Sequence, residues 1–199
     1  MSEHYFSADP SSPARHADLV TEAWDRELPL RTVSGVFSHG RVDLGTRVLL
    51  RTERPDPDAR TVLDLGCGYG LVAVALAHAL PHARVWAVDV NERALLTTRT
   101  NAAAHHLEDR LHVCAPDEVP DDLFFDEIWS NPPIRIGKPA VHDLLQRWVP
   151  RLNRGGRAVM VISRNLGADS YQRWMRDQGW SCERLGSAKG FRVFEVRPD

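Results

Sequence analysis

The chain has 199 residues, 43% of them hydrophobic and 26% charged, with a formal net charge of −2. That length predicts one domain able to bury a sizeable core, and that charge excludes a global basic field advertising a nucleic-acid partner. Three widely spaced cysteines, Cys67, Cys114 and Cys182, form no Cys-x-x-Cys pair, so no zinc site or other metal is expected. The start, Met1-Ser2-Glu3-His4-Tyr5, carries no basic-then-apolar signal. The longest apolar run, Leu71 to Leu80, is too short to span a membrane. Together these predict a reducing, cytoplasmic location without membrane attachment.

The first thirty residues read as irregular, with a helix expected over Pro13–Leu28 on Leu19, Val20, Ala23, Trp24 and Leu28. A short strand is expected over Thr32–Phe37, then a polar turn, Ser38-His39-Gly40-Arg41, and a helix over Leu44–Arg51. Arg54-Pro55-Asp56-Pro57-Asp58 cannot continue a helix and reads as a connector. Beyond it strands and helices alternate. Strands are predicted at Thr61–Leu65, Arg84–Asp89, Arg110–Cys114, Phe124–Ser130 and Arg157–Ser163, the last entered through a Gly155-Gly156 turn. Helices are predicted at Gly70–Leu80, Asn91–His105 (Asn91 as N-cap), Lys138–Leu152 and Ala168–Gln178. Two final strands, Trp180–Leu185 and Phe191–Val196, are joined through Gly186–Gly190. The pattern is α/β, a mostly parallel doubly wound sheet with one antiparallel strand. In such sheets ligands sit beyond the carboxyl ends of the strands. His39, His78, His82, His105 and His106 show no metal spacing and read as surface or loop residues.

Two motifs fall at those strand ends. The first is Asp64-Leu65-Gly66-Cys67-Gly68-Tyr69-Gly70. A nicotinamide loop wants Gly-x-Gly-x-x-Gly, but position 71 is Leu71; a P-loop wants Gly-Lys-Ser/Thr, which is absent. Asp64 is the deciding residue. A carboxylate repels a pyrophosphate but attracts the methionyl ammonium of S-adenosylmethionine. The glycines let the backbone approach such a ligand. Asp89 ends the next strand about 20 residues on, where an acid can hold ribose hydroxyls; Cys67 and Val90 flank these positions. The loop after the third strand, with Asp117, is placed for the adenine, although Asp117 reads equally well as an exposed loop acid.

The second motif is Asn131-Pro132-Pro133-Ile134. An aromatic NH2 is a poor nucleophile, because its lone pair is delocalised into the ring. The Asn131 amide oxygen and the Pro132 carbonyl can accept its two hydrogens and aim the lone pair at a sulfonium methyl. The prolines stiffen the corner and offer no competing N–H. In-line positioning supplies the remaining acceleration. Arg135 and Lys138 follow the corner, at the start of a segment rich in bases (Arg147, Arg151, Arg154, Arg157, Arg164). They are candidates for holding the phosphates around an extruded nucleotide, against the plainer reading of a solvated helix start.

These two motifs resemble those of the class I, Rossmann-like methyltransferases of the "methyltransferase small" family. The resemblance extends to Tyr5-Phe6-Ser7, to Gly35 through Thr46 and to Gly190-Phe191-Arg192-Val193. In these stretches the chain is similar to single-domain relatives of ribosomal RNA small subunit methyltransferase C. The resemblance implies a seven-stranded sheet with the last strand antiparallel and helices on both faces. It also implies an S-adenosylmethionine-dependent N2-methylation of a guanine in structured RNA, ribosomal or transfer. It assigns Asp64, Gly66 and Gly68 to the methionine end, Asp89 to the ribose, and Asn131 with Pro132 to the target amine; Cys67, Gly70 and Val90 are further candidates for holding the cofactor, and Pro133 and Ile134 for the catalytic corner. Phe37, Ser38, Asp43, Gly45 and Thr46 match a stretch that closes over the cofactor. The expected organisation is one methyltransferase domain over residues 1–199, with an extension over residues 1–58 covering the pocket and a catalytic core over residues 59–199. Adenine-N6 and glutamine-N5 enzymes usually carry an aromatic residue after Asn-Pro-Pro. Ile134 therefore weighs toward guanine, with another planar amine or a non-catalytic cofactor-sensing RNA-binding module as alternatives.

Overall fold

The computed structural model describes residues 15–36 and 40–198. Tyr5-Phe6-Ser7, Phe37, Ser38 and His39 lie outside the described residues.

The helix expected over Pro13–Leu28 is instead a β-hairpin. Strands β1 (His16–Ala23) and β2 (Arg26–Val33) pair antiparallel in a sheet of their own. Of the residues read as a helical stripe, Leu19 and Ala23 share the inner face of β1 while Val20 stands on the exposed one, and on β2 Leu28, Leu30 and Thr32 are buried at alternate positions. The turn is Trp24-Asp25, both with positive φ (48° and 67°), the backbone that closes a two-residue hairpin. Asp tolerates that conformation; for Trp it is unusual, and tertiary contacts hold it there. The Trp24 indole N–H donates to the Glu53 carbonyl at 2.8 Å, and its ring meets the buried Trp129 edge-on at 5.5 Å. The strand expected over Thr32–Phe37 is also displaced, since β2 ends at Val33 and a turn follows.

The remaining elements follow the predicted order: α1 (Leu44–Thr52), β3 (Thr61–Leu65), α2 (Leu71–Ala79), β4 (Arg84–Val88), α3 (Glu92–Ala104), β5 (Leu111–Cys114), β6 (Phe125–Ser130), α4 (Lys138–Trp148), β7 (Leu152–Ser163), α5 (Ala168–Asp177), β8 (Ser181–Ala188) and β9 (Phe191–Arg197). Asn91 caps α3, accepting from the N–H groups of Arg93 and Ala94. The largest boundary differences from expectation fall at α4, β7 and β8, the last running on through Gly186 to Ala188. After Trp148 the chain turns through a short 3-10 segment containing Pro150, and β7 starts at Leu152 and passes through Gly155-Gly156 instead of beginning after them. A Cβ at Gly156 would meet the carbonyls of Asp126, Asn153 and Phe125 at 2.9–3.1 Å, so the pair serves close strand approach at an irregular register.

The seven strands lie in the order β5-β4-β3-β6-β7-β9-β8. All pairs are parallel except those of β9, which lies antiparallel between β7 and β8. One apolar layer is built with α1, α2, α3 and the hairpin, and the opposite layer with α4 and α5. The chain winds outward from β3 to β5, then returns to place β6 on the other side of β3. The β3–β6 seam is thus the switch point of the sheet, where a crevice opens beyond the strand ends.

Two of the histidines read as surface or loop residues, His78 and His105, are half-buried and join elements. The His105 Nε2 faces the Pro29 carbonyl at 2.8 Å and so donates, leaving Nδ1 to accept from His78 Nε2 at 3.0 Å. The pair ties α2, α3 and the hairpin together. Burial lowers the His78 pKa to about 4, so it is neutral at physiological pH. No helix among the described residues is long and apolar enough to cross a membrane.

Candidate active site at the switch point

The two motifs emerge side by side. Leu65 of β3 pairs with Ser130 of β6, and the Ser130 hydroxyl donates to the Leu65 carbonyl at 2.8 Å. Gly66 and Asn131 are therefore the next residues out of adjacent strands.

The glycine loop is held from below by β4: Gly66 N–H and Cys67 N–H both donate to the Val88 carbonyl, at 2.8 and 3.0 Å. Gly66 has φ +79°, and a Cβ built on it would project into open space with nothing within 4 Å. It is a cradle that any larger residue would fill. Gly68 N–H donates to Asp89 Oδ2 at 2.9 Å, and Asp89 Oδ1 accepts from Asn91 N–H at 3.0 Å. Burial raises the Asp89 carboxyl above its usual range, although these backbone donors oppose it. Gly70 abuts Thr98 and opens α2. The Cys67 thiol points into the core beside the Thr98 hydroxyl, 3.6 Å away, where burial pushes its pKa up. Cys67 serves the loop through its backbone, not as a nucleophile. Val90, next to Asp89, is 51% exposed.

Asp64 is buried, with one oxygen accepting from Ala73 N–H in the first turn of α2 at 2.9 Å. Burial raises its carboxyl to about 8; the Ala73 N–H works against this and Asp89 adds to it. A buried acid with no cationic partner among the described residues suits a ligand that brings its own positive charge. Open space at Gly66, an acid for an ammonium and an acid for ribose hydroxyls fit S-adenosylmethionine.

At the corner, the Asn131 side-chain NH2 donates to Asp43 Oδ1 at 2.8 Å and to Thr46 Oγ1 at 3.0 Å. Among the described residues its amide oxygen accepts no hydrogen bond, so it is able to accept from an amine. The Pro132 carbonyl accepts from Ile134 N–H at 2.8 Å across a tight turn at Pro133 (φ −75°, ψ 66°). One of its lone pairs is thereby engaged and the other remains for a substrate N–H. Ile134 packs half-buried against the α4–α5 layer.

Other expected residues are not drawn into this cluster. The Asp117 carboxylate is paired with Arg147 at 2.8 Å and stays 90% exposed. Lys138 Nζ donates to the Ser170 hydroxyl at 3.0 Å at the exposed start of α4. The Arg135 backbone lies in the 3-10 turn after the corner. A cleft of about 580 Å³ lies between the hairpin turn and α1, lined by Trp24, Arg47, Arg51 and Arg54 among others; it contains none of the motif residues.

Asp43 and Thr46 are the participants that reading the residues alone missed. The resemblance put them in a stretch that closes over the cofactor pocket; the structure shows both as hydrogen-bond acceptors of the Asn131 amide. The available signal was Asp43 just before a predicted helix: it is the N-cap of α1, and its Oδ1 accepts from Thr46 N–H at 3.1 Å. Nothing in the sequence pointed across the 88 positions to Asn131.

A parallel sheet carrying an inserted antiparallel β9, with its acidic glycine loop and amide corner at the switch point, places the protein among the Rossmann-like class I methyltransferases. Residues 27–195 match the Methyltransferase small domain, and the chain belongs to that family. It is 33% identical over 174 residues to YbxB of Bacillus subtilis, covering 85% of this chain and 86% of that protein. It is 33% identical over 198 residues to the ribosomal RNA small subunit methyltransferase C of Pseudomonas putida, covering 94% of this chain but 58% of that enzyme. The solved T. thermophilus 16S rRNA N2 methyltransferase, in complex with AdoMet and guanosine, superposes with a TM-score of 0.81 at 25% identity. That match covers 96% of this chain and 52% of that one, so the chain spans little more than half the length of the ribosomal enzymes it resembles.

Proposed function

We propose that the protein transfers a methyl group from S-adenosylmethionine to the exocyclic N2 of a guanine in ribosomal or transfer RNA. The observation that carries this reading is the register of β3 against β6, which sets the Asp64–Gly70 loop and Asn131 next to one another at the switch point. S-adenosylmethionine held there supplies an electrophilic methyl on a sulfonium. Asp64 meets its ammonium, Gly66 and Gly68 admit its backbone, and Asp89 takes its ribose hydroxyls. Val90 offers an apolar edge for the adenine.

The Asn131 oxygen and the Pro132 carbonyl accept the two N–H groups of the target amine, so its lone pair faces the loop. No base is required before attack, since the nitrogen becomes acidic only once alkylated, and water then takes the proton. Exposed Leu44, Ile136 and Leu166 lie around the same end of the sheet and offer apolar surface to a base. Lys138 and Arg135 stand beyond the corner for the backbone phosphates, and residues 1–58 contribute Asp43 and Thr46 to the site.

The test is nucleoside mass spectrometry of RNA from cells with and without the protein, complemented by wild type or Asn131→Ala. Loss of one N2-methylguanosine, restored by wild type alone, is the expected result. Asn131→Ala should cut transfer ~10²–10³-fold while keeping cofactor affinity. Unchanged RNA, with a methyl-acceptor signal that survives ribonuclease, would replace guanine by another amine.

A further inference from the structure

We propose that Asp43 and Thr46 are positioning residues that lock the Asn131 amide in the one orientation able to receive a donor amine. This deepens the proposed transfer to an NH2 group and rests on it for its kinetic consequence. An Asn side chain is nearly the same shape with its oxygen and nitrogen exchanged, so packing alone does not choose between them. In the wrong orientation, Asn131 would confront the substrate N–H groups with two more N–H groups.

A carboxylate only accepts hydrogen bonds. Asp43 Oδ1 at 2.8 Å therefore forces the NH2 to its side, and the Thr46 hydroxyl, able to accept, takes the second hydrogen at 3.0 Å. The charge on Asp43 also polarises the amide and strengthens its free oxygen as an acceptor. During transfer the amine lone pair forms the N–CH3 bond as the C–S bond breaks. The sulfonium becomes a neutral thioether, and the positive charge moves to the nitrogen until water takes its proton. A negative group behind Asn131 favours that movement.

The scaffold of this clamp is local. Asp43 is held by its cap to Thr46 N–H, which places both acceptors on the first turn of α1. Gly45 between them is constrained by close approach: a Cβ there would stand 2.9 Å from Asp43 Oδ1 and 2.9 Å from the Phe191 ring. A side chain at 45 would push the carboxylate away from Asn131 without touching the substrate.

The experiment compares Thr46→Val, Thr46→Ser, Asp43→Asn and Gly45→Ala with wild type, using RNA from cells lacking the protein as methyl acceptor. Thr46→Val should lower kcat ~10-fold and Gly45→Ala by up to ~10², with KM for RNA and cofactor affinity held. Thr46→Ser should restore wild-type turnover. Asp43→Asn keeps the helix cap and can still present an oxygen, so it isolates the charge through an intermediate loss of kcat. Wild-type kcat in both Thr46→Val and Gly45→Ala, or a loss of cofactor affinity matching the loss of rate, would overturn the clamp.

A readout independent of any acceptor keeps the two proposals separable. In 15N-asparagine-labelled protein, the Asn131 side-chain amide pair is identified by its absence in Asn131→Ala. Its two protons should be protected from solvent exchange in wild type and lose protection in Thr46→Val. If wild type methylates no RNA yet shows this protection, the substrate reading fails and the clamp stands; an unprotected pair in wild type refutes the clamp itself.

Discussion

The two ends of the central sheet each bury a carboxylate, in opposite circumstances. At the amino end of β6, Glu127 is surrounded by donors: Arg157 Nε at 2.6 Å, Asp56 N–H at 3.0 Å and the Trp129 indole at 2.9 Å. Arg157 also reaches Glu53 and Glu195, at 3.0 and 3.1 Å. Burial works against the Arg157 charge, but these carboxylates hold its pKa above the usual value. Burial alone would raise Glu195, yet Arg197 and Arg157 hold it below the usual range. At the carboxyl end of β3, Asp64 has, among the described residues, one backbone donor and no cation, and its carboxyl is raised to about 8. The satisfied end holds its charges in mutual pairs, whereas the under-satisfied acid is, in the proposed function, the one that ionises to meet the ligand's ammonium.

The contrast can be broken from the stable end first. Arg157→Ala leaves Glu127 buried without its cation and should cost about 3–5 kcal/mol of folding stability, measured by urea unfolding, with cofactor affinity unchanged. Asp64→Asn should do the reverse. It keeps an acceptor for Ala73 N–H and removes a buried acid, so the melting temperature should hold or rise. Loss of a charge-assisted bond to the ammonium should weaken S-adenosylmethionine binding by about 1.5–3 kcal/mol, read by titration calorimetry.

The raised pKa makes a third prediction. Free Asp64 is protonated below about 8 and must ionise to meet the ammonium, so binding releases a proton in that range. Affinity should therefore fall as pH drops below 8, by at most ~10-fold per unit. Asp64→Asn should flatten this limb, and calorimetry in buffers of different ionisation heat should register the proton. The smallest expected effect is outside both carboxylate sites. Lys138→Ala should leave cofactor binding intact and reduce the slope of RNA affinity against salt by about one; an unchanged slope would assign Lys138 to its Ser170 contact alone.

Hydrophobic patterning made most of the fold legible from Leu44 onward, because strands buried on both faces read as short apolar runs between Gly and Pro punctuation. The hairpin was not legible. Leu19, Val20, Ala23, Trp24 and Leu28 satisfy a helical stripe, and Trp24 is forced to positive φ by Glu53 and Trp129, neither of which is local. The loop and the corner were readable since each is a short run whose chemistry depends on neighbours in the chain. The Asp117 carboxylate, by contrast, is drawn to Arg147, 30 positions away.

Residue order along the chain was therefore sufficient for the strand–helix alternation, for Asp64 and Asp89 at strand ends, and for an amide-and-carbonyl corner suited to an amine. Tertiary structure alone decided which atom of Asn131 is held by Asp43 and Thr46 and which buried acids are satisfied. Those outcomes depend on partners brought together by winding β6 back beside β3 and by packing α1 on β7, β9 and β8 so that its first turn meets Asn131. Hydrogen-bond polarity and burial belong to that assembled neighbourhood, and no local run of residues encodes them.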